Sequence, residues 1–269
     1  MVKIKCVIGA QYGDEGKGLM TAYYASKNPA AIVVRSNGGA QAGHTVQIRD
    51  KRHVFSHFGS GTAYCNSTYL SEYFVLNPTM FVREWLELEK LGYDPQIVAD
   101  GNCMVTNIYD VIINQHQEIL RGDRKHGSVG LGFGQTIDRY EHNPMSIGYG
   151  TFTRQAHVDS LREKMWEIRS EMFTDYDFTG MPTDMYNALN SPEVLFRYVN
   201  DLMFMINKMK EASVEYLDGE DLIFEGAQGL QLDQNYGYFP HVTRSNTGLQ
   251  NMRRIMEDCV PRPFNADIE

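Results

Sequence analysis

Short apolar runs alternate along this chain with polar, glycine-rich stretches. Residues 3–8, 31–35 and 222–224 are brief, continuous runs rich in β-branched and aromatic side chains, the pattern of strands buried on both faces. The first leads into Gly9-Ala10-Gln11-Tyr12-Gly13-Asp14-Glu15-Gly16-Lys17-Gly18, and residues 19–26 after it read as a helix. Strand, glycine loop, helix is the order of a phosphate-binding α/β unit. The second run ends in the turn signal Asn37-Gly38-Gly39. Residues 46–48 and 53–58 predict a hairpin around Arg49-Asp50-Lys51-Arg52.

Helical spacing is clearest over 78–91. Asn77 is the expected N-cap, Pro78 fits the first turn, Gly92 the C-terminal stop, and Phe81, Val82, Trp85, Leu86 and Leu88 form an apolar face. Ser191 and Pro192 open a second helix, whose stripe of Leu195, Tyr198, Val199, Leu202, Met203, Ile206 and Met209 reads as core. Between them, residues 150–190 are polar and rich in Asp, Met and Tyr, which suggests a helical segment with a mobile connection near Gly180-Met181-Pro182. The expectation is one α/β domain over 1–269, with a mostly parallel central sheet, a P-loop-like phosphate-binding loop and a helical insertion at about 150–215.

Composition narrows the partners. With 42% hydrophobic and 22% charged residues in 269, the chain can build a sizeable core, which excludes generic disorder. Twenty-five Lys+Arg against 34 Asp+Glu leave a formal charge of −9, which argues against a nucleic-acid partner but not against a small anion. Cys6, Cys65, Cys103 and Cys259 form no C-x-x-C pair, as in ordinary cytosolic proteins. The start alternates charged and apolar residues rather than forming a secretory signal, and no uncharged run approaches the ~18 residues of a membrane span. A cytoplasmic protein with no membrane partner is expected.

Four glycine-rich stretches carry the candidate chemistry. Gly13-Asp14-Glu15-Gly16-Lys17-Gly18 can bring backbone N–H groups to a phosphate, yet it is not a Walker A loop, because no hydroxyl follows the lysine. A carboxylate beside a polyphosphate needs a divalent cation or a proton to handle; otherwise the stretch is a turn with solvated acids. Gly38-Gly39-Ala40-Gln41-Ala42-Gly43-His44-Thr45 exposes a histidine among small residues, suited to proton transfer near neutrality. His126-Gly127-Ser128-Val129-Gly130-Leu131-Gly132-Phe133-Gly134 reads as a second anion-binding or covering loop, or as a plain flexible one. Glu225-Gly226-Ala227-Gln228-Gly229 follows a buried strand, where open sheets bind ligands, and Gln228 can both donate and accept. No H-E-x-x-H or G-x-S-x-G is present, which argues against a zinc hydrolase or a nucleophile-elbow hydrolase.

Together these stretches resemble the adenylosuccinate synthetase family. Residues 9–18 are similar to its G-x-Q-W-G-D-E-G-K-G, 38–45 to its G-G-x-N-A-G-H-T, and 224–247 to its F-E-G-A-Q-G…D…G…P-x-V-T-x-S-N-T. The likeness extends to about residue 250. It implies a homodimeric ligase that joins L-aspartate to C6 of a purine nucleoside monophosphate, IMP in the ordinary case, at the cost of GTP or ATP. By resemblance, Asp14 takes the N1 proton and, with the Gly43 carbonyl, holds Mg²⁺. His44 is the general acid toward the phosphoryl group moving to O6. Lys17, with Gly13, Glu15, Gly16 and Gly18, holds that group, and Gln228 meets the purine carbonyl edge. Gln41, Thr45, Ser128, Val129, Gly130, Thr243 and Asn246 fall at nucleotide-contacting positions, Thr243 on the substrate phosphate.

The chain departs from the pattern in places. Gln41 stands for the family's Asn, and Val129 and Leu131 replace a Thr and an Arg of T-T-G-R-G-I-G. The arginine that reaches the neighbouring subunit's nucleotide has Arg139 as its nearest candidate. The aspartate-binding loop and the Lys-x-Asp segment that follow in the family are not within the 269 residues, and Pro261-Arg262-Pro263 reads as a tail. A truncated chain or a shortened homologue is expected, with the family's C-terminal part missing. The altered loops also resemble viral members, some of which use dGMP to make the precursor of 2-aminoadenine deoxynucleotide. Asp14 must share space with a 2-amino group, which leans toward IMP. A nucleotide-binding relative that does not ligate, or a different NTPase, are the remaining alternatives.

Overall fold

The computed structural model describes residues 2–48, 50–65, 67–124, 127–142, 148–174 and 176–259. In chain order, the first half runs β1 (Ile4–Val7), α1 (Lys17–Lys27), β2 (Ile32–Arg35), β3 (His44–Ile48), β4 (Lys51–Phe55), β5 (Ser67–Leu70), β6 (Val75–Leu76), α2 (Pro78–Lys90), β7 (Ile97–Ala99) and β8 (Met104–Val105). Then follow α3 (Ile108–Arg121), α4 (Phe133–His142), α5 (Tyr149–Arg154), α6 (Val158–Met172), α7 (Thr183–Leu189), α8 (Pro192–Lys208), β9 (Lys210–Glu211), β10 (Leu222–Glu225) and α9 (Gln250–Cys259).

Six strands form one parallel sheet in the order β1-β10-β2-β5-β7-β9. The apolar runs become strands because helices cover both faces, and β2, β5 and β10 are buried at every position. Val7, Glu225, Arg35, Leu70 and Ala99 lie side by side in register. The C-terminal rim is therefore flush, and the loops after β1, β10 and β2 emerge next to one another.

The larger core cluster lies where α2 packs on α8 and α8 on α6, with Phe58, Phe81, Trp85, Leu161, Met165, Leu195 and Leu202 among its members. The expected caps are present. Asn77 Oδ1 accepts from Met80 N at 3.1 Å, Ser191 Oγ accepts from Val194 N at 3.3 Å, and Gly92 turns the chain with φ +78°. The stretch at 150–190 holds α5, α6 and α7, and Gly180 makes a turn with φ +79°.

Three expectations need correction. The hairpin turns one residue earlier, so Lys51 and Arg52 belong to β4 rather than to the turn, while Arg49 is outside the described residues. Leu86 is exposed, and the face of α2 buries Glu84 instead. Gly134 is not a loop residue but lies in the first turn of α4; Gly127, Gly130 and Gly132 do adopt the left-handed backbone that favours glycine. His126 and Pro261-Arg262-Pro263 fall outside the described residues. Cys6, Cys65, Cys103 and Cys259 are all free. No helix among the described residues is long and apolar enough to cross a membrane.

Candidate active site at the rim of three strands

The loop after β1 wraps against the loop after β10. Leu230 N donates to Gly9 O at 3.0 Å and Gln231 N to Gln11 O at 2.9 Å. The backbones approach so closely that a Cβ at Gly229 would fall 2.3 Å from Gln11 O, so only glycine fits. Two non-glycine residues in this junction take left-handed backbone, Asp14 (φ +53°) and Gln228 (φ +62°). Such conformations cost free energy and persist where the surroundings dictate them, often at binding sites. Asp14 is exposed, whereas Gln228 is half-buried and its Oε1 has no partner among the described residues.

Glu15 and Lys17 organise the phosphate loop itself. The Glu15 carboxylate accepts from Ala10 N and Gln11 N, each at 3.1 Å. Gly16 (φ +84°) is the N-cap of α1, so Lys17 and Gly18 lie in its first turn, at the favourable end of the helix for an anion. Lys17 is buried, which lowers its pKa, while Glu15, Asp14 and Glu225 act in the opposite direction. Lys17 is thus a buried cation within electrostatic reach of three carboxylates.

His44 opens β3, 8% exposed, with its Nδ1 2.6 Å from Oε1 of Glu225. Glu225 ends β10 and is fully buried. Burial alone would raise its pKa, but His44, Arg35 and Ser60 outweigh that and hold it at about 2. An ionised carboxylate on Nδ1 fixes the ring and leaves Nε2 as the nitrogen available to a ligand. Gly18 abuts this pair, since a Cβ there would sit 2.9 Å from His44 Cβ. Within residues 225–229 the sequence pattern singles out Gln228; the signal for Glu225 is a charge closing an otherwise apolar strand.

The other candidates are placed unevenly. Gly43 and Thr45 flank His44 and are exposed. Both amide atoms of Gln41 are buried without a partner among the described residues, in a cleft lined by Val75, Asn77, Leu131 and Phe133. Ser128 Oγ donates to Asn114 Oδ1 at 2.8 Å, Gly130 O accepts from Gln115 Nε2 at 3.0 Å, and Val129 is 68% exposed. Thr243 N donates to Leu232 O at 2.8 Å, and Asn246 is bonded to Gln234, Asn235 and Asn251, which ties this segment to the loop after β10.

Arg139 is not brought to this site. It lies buried in α4, with Nε 3.0 Å from Asp110 Oδ1, Nη2 2.8 Å from Oδ2, and Nη2 also donating to Val105 O at 2.8 Å. Burial opposes its charge, but Asp110 prevails and raises its pKa. A guanidinium with its fork closed on an internal carboxylate is a core residue, not one reaching toward a neighbouring subunit.

The donors suit a hard cation. Among the described residues no cluster of three or more His, Cys, Asp or Glu could hold a metal by itself. Asp14 and Gly43 are exposed residues, and the Asp14 carboxylate and Gly43 carbonyl are oxygen donors of the kind that a hard cation such as Mg²⁺ takes.

The adenylosuccinate synthetase family model matches residues 6–257. The chain is 33% identical over 250 residues to an adenylosuccinate synthetase of Clostridium botulinum strain Hall, covering 90% of this chain and 56% of that protein. It is 34% identical over 251 residues to the enzyme of Lactobacillus helveticus, covering 90% and 55%. It thus spans a little over half the length of the curated relatives it matches. Among solved structures, fully ligated adenylosuccinate synthetase from Plasmodium falciparum superposes with TM-score 0.74 at 22% identity, over 94% of this chain and 58% of that one. A cyanophage S-2L succinoaminodeoxyadenylate synthetase bound to dGMP and dATP gives TM-score 0.61 at 15% identity, over 96% and 60%.

Proposed function

The chain belongs to the adenylosuccinate synthetase family, and from that premise we propose that it is a ligase joining L-aspartate to C6 of a 6-oxopurine nucleoside monophosphate of the IMP type, driven by GTP or ATP. The observation that carries the reading is the meeting of the Asp14 loop, Lys17, the His44–Glu225 pair and Gln228 at the rim of β1, β10 and β2.

Asp14 accepts the N1 proton, which makes O6 nucleophilic toward the γ-phosphorus; as the O6–P bond forms, the bond from the γ-phosphorus to the β,γ-bridging oxygen breaks and the nucleoside diphosphate leaves. His44, held through Nδ1 by Glu225, supplies a proton to the moving phosphoryl group from its other nitrogen. Lys17 and the N–H groups of the α1 terminus neutralise charge on that group. The C6–O bond, now to a phosphorylated oxygen, breaks as the aspartate amine attacks C6 and phosphate leaves. Gln228, with its unpartnered Oε1, faces the base edge, and Gln41, Ser128, Thr243 and Asn246 contact the nucleotide. Mg²⁺ bound by Asp14 and the Gly43 carbonyl would supply charge neutralisation for the nucleotide phosphates. A homodimer in the cytoplasm completes the reading.

A second reading takes dGMP as acceptor. Val129 and Leu131 in place of a hydroxyl and a charge support it, as does the fold likeness to a synthetase whose structure contains dGMP. The test is incubation with Mg²⁺, aspartate and each pairing of IMP or dGMP with GTP or ATP, followed by mass detection of succinylated nucleotide. Product from IMP, lost in Asp14→Ala and His44→Ala, supports the main reading, and product from dGMP alone supports the second. Nucleotide binding without product from any pairing refutes both.

A further inference from the structure

We propose that Ser60 is a positioning residue for this reaction, clamping the Glu225 carboxylate in the orientation that presents Oε1 to His44. The inference rests on the reading of His44 as the proton donor. Ser60 is fully buried and belongs to none of the glycine-rich motifs. Its amide donates to Glu225 Oε2 at 2.9 Å, and its hydroxyl donates to Oε1, the oxygen that also lies 2.6 Å from His44 Nδ1. One residue thus holds both oxygens of the carboxylate, from two sides, and removes its freedom to rotate away from the imidazole. A serine serving only the backbone would have turned its hydroxyl to a nearby carbonyl or amide instead.

The segment that carries Ser60 is fixed with comparable care. Gly59 N donates to Thr68 Oγ1 at 2.9 Å on the neighbouring strand. The fully buried Arg35 donates through Nη1 to Ser56 O at 2.8 Å and Phe58 O at 3.3 Å. From the other side, Glu84 accepts from Ser56 N at 2.9 Å and His57 N at 2.7 Å. Gly18, in the first turn of α1 beside Lys17, approaches so closely that a Cβ would lie 3.0 Å from Ser60 Oγ. Residues 56–60 are therefore a braced strap between the core and the site, and Ser60 is the point at which the strap touches Glu225.

The test separates this role from a structural one. Ser60→Ala lowers kcat about 10- to 100-fold, the scale on which a misaligned reacting group costs rate. KM for the purine nucleotide stays within about twofold, because the clamp touches no substrate. In a Glu225→Gln background the same substitution costs less than about twofold more, since its route of action is already cut. Equal losses in both backgrounds, parallel changes in kcat and KM, or an unchanged kcat overturn the proposal. If Ser60→Ala does not fold, Ser60→Cys keeps the volume with a weaker donor and carries the same expectations. An arm independent of turnover uses ¹⁵N-histidine-labelled protein, in which the His44 Nδ1 proton resonance, assigned by its loss in Glu225→Gln, must move in the Ser60 variant. An unmoved resonance overturns the clamp even where the wild type yields no succinylated product, an outcome that by itself refutes the ligase reading.

Discussion

Replacing Arg139 by methionine tests whether this residue is structural. The side chain makes two parallel contacts with Asp110, at 3.0 and 2.8 Å, and a third with Val105 O at 2.8 Å, all in the interior. Arg139→Met removes the cation and leaves the fully buried Asp110 carboxyl with only Asn107 N at 2.9 Å and Thr136 Oγ1 at 3.2 Å as remaining donors. Breaking a buried pair in this way costs about 3–5 kcal/mol. At roughly 2–4 °C per kcal/mol for a domain of this size, the midpoint of thermal unfolding falls by roughly 6–20 °C. Adding Asp110→Asn, which keeps an acceptor for the α3 cap but removes the acid left without its partner, recovers more than half of that loss. The assay is circular dichroism melting alongside nucleotide titration below the transition. A melting temperature within about one degree of wild type, with nucleotide affinity weakened tenfold, would refute the reasoning and return Arg139 to a substrate role.

Three further outcomes are expected. Burial opposes ionisation of Glu84 and Glu225, but their histidine, serine and arginine neighbours prevail, so both folded pKa values lie below the ordinary 4.5, that of Glu225 at about 2. The stability they contribute is complete above about pH 4.5 and is lost as pH falls toward 2; Glu84→Gln flattens the dependence of urea midpoints between pH 6 and 3, and curves parallel to wild type would contradict this. Gly18→Ala drives a methyl into His44 and Ser60, lowering kcat about tenfold and stability by about 1–3 kcal/mol in turnover and melting assays. Gln228→Gly releases a left-handed backbone and raises stability by about 0.5–1 kcal/mol while weakening purine-nucleotide binding in calorimetry; a fall in stability would remove the strain argument.

What the chain order disclosed and what it hid have physical causes. Strands at 4–7, 32–35 and 222–225 were legible because apolar runs bounded by glycine have few other fates, and the ends of α2 because Asn77, Pro78 and Gly92 act locally. Glu84 was hidden because hydropathy assigns a carboxylate to the outer face, whereas its partners, the amides of Ser56 and His57, lie 27–28 residues away. Its position three after Phe81 and four before Leu88, on the apolar stripe itself, was the available sign. The same holds for Arg35 and Glu225, charges that close buried strands. Arg139 misled because resemblance aligned a residue type, while Asp110, which claims it, is 29 positions upstream.

The place of β10 between β1 and β2 also governs how the molecule is made. β1 and β2 leave the ribosome well before β10, yet they cannot complete a sheet with each other, because the strand that joins them begins 187 residues after Arg35. At 5–20 residues per second, that is roughly 10–40 s of synthesis with two apolar edges open. The strand whose arrival closes that gap also carries Glu225 and leads straight into Gln228, so closure of the sheet and assembly of the site are a single late event. A nascent chain arrested before residue 222 therefore presents bare strand edges to chaperones and lacks Glu225 and Gln228 of the candidate site.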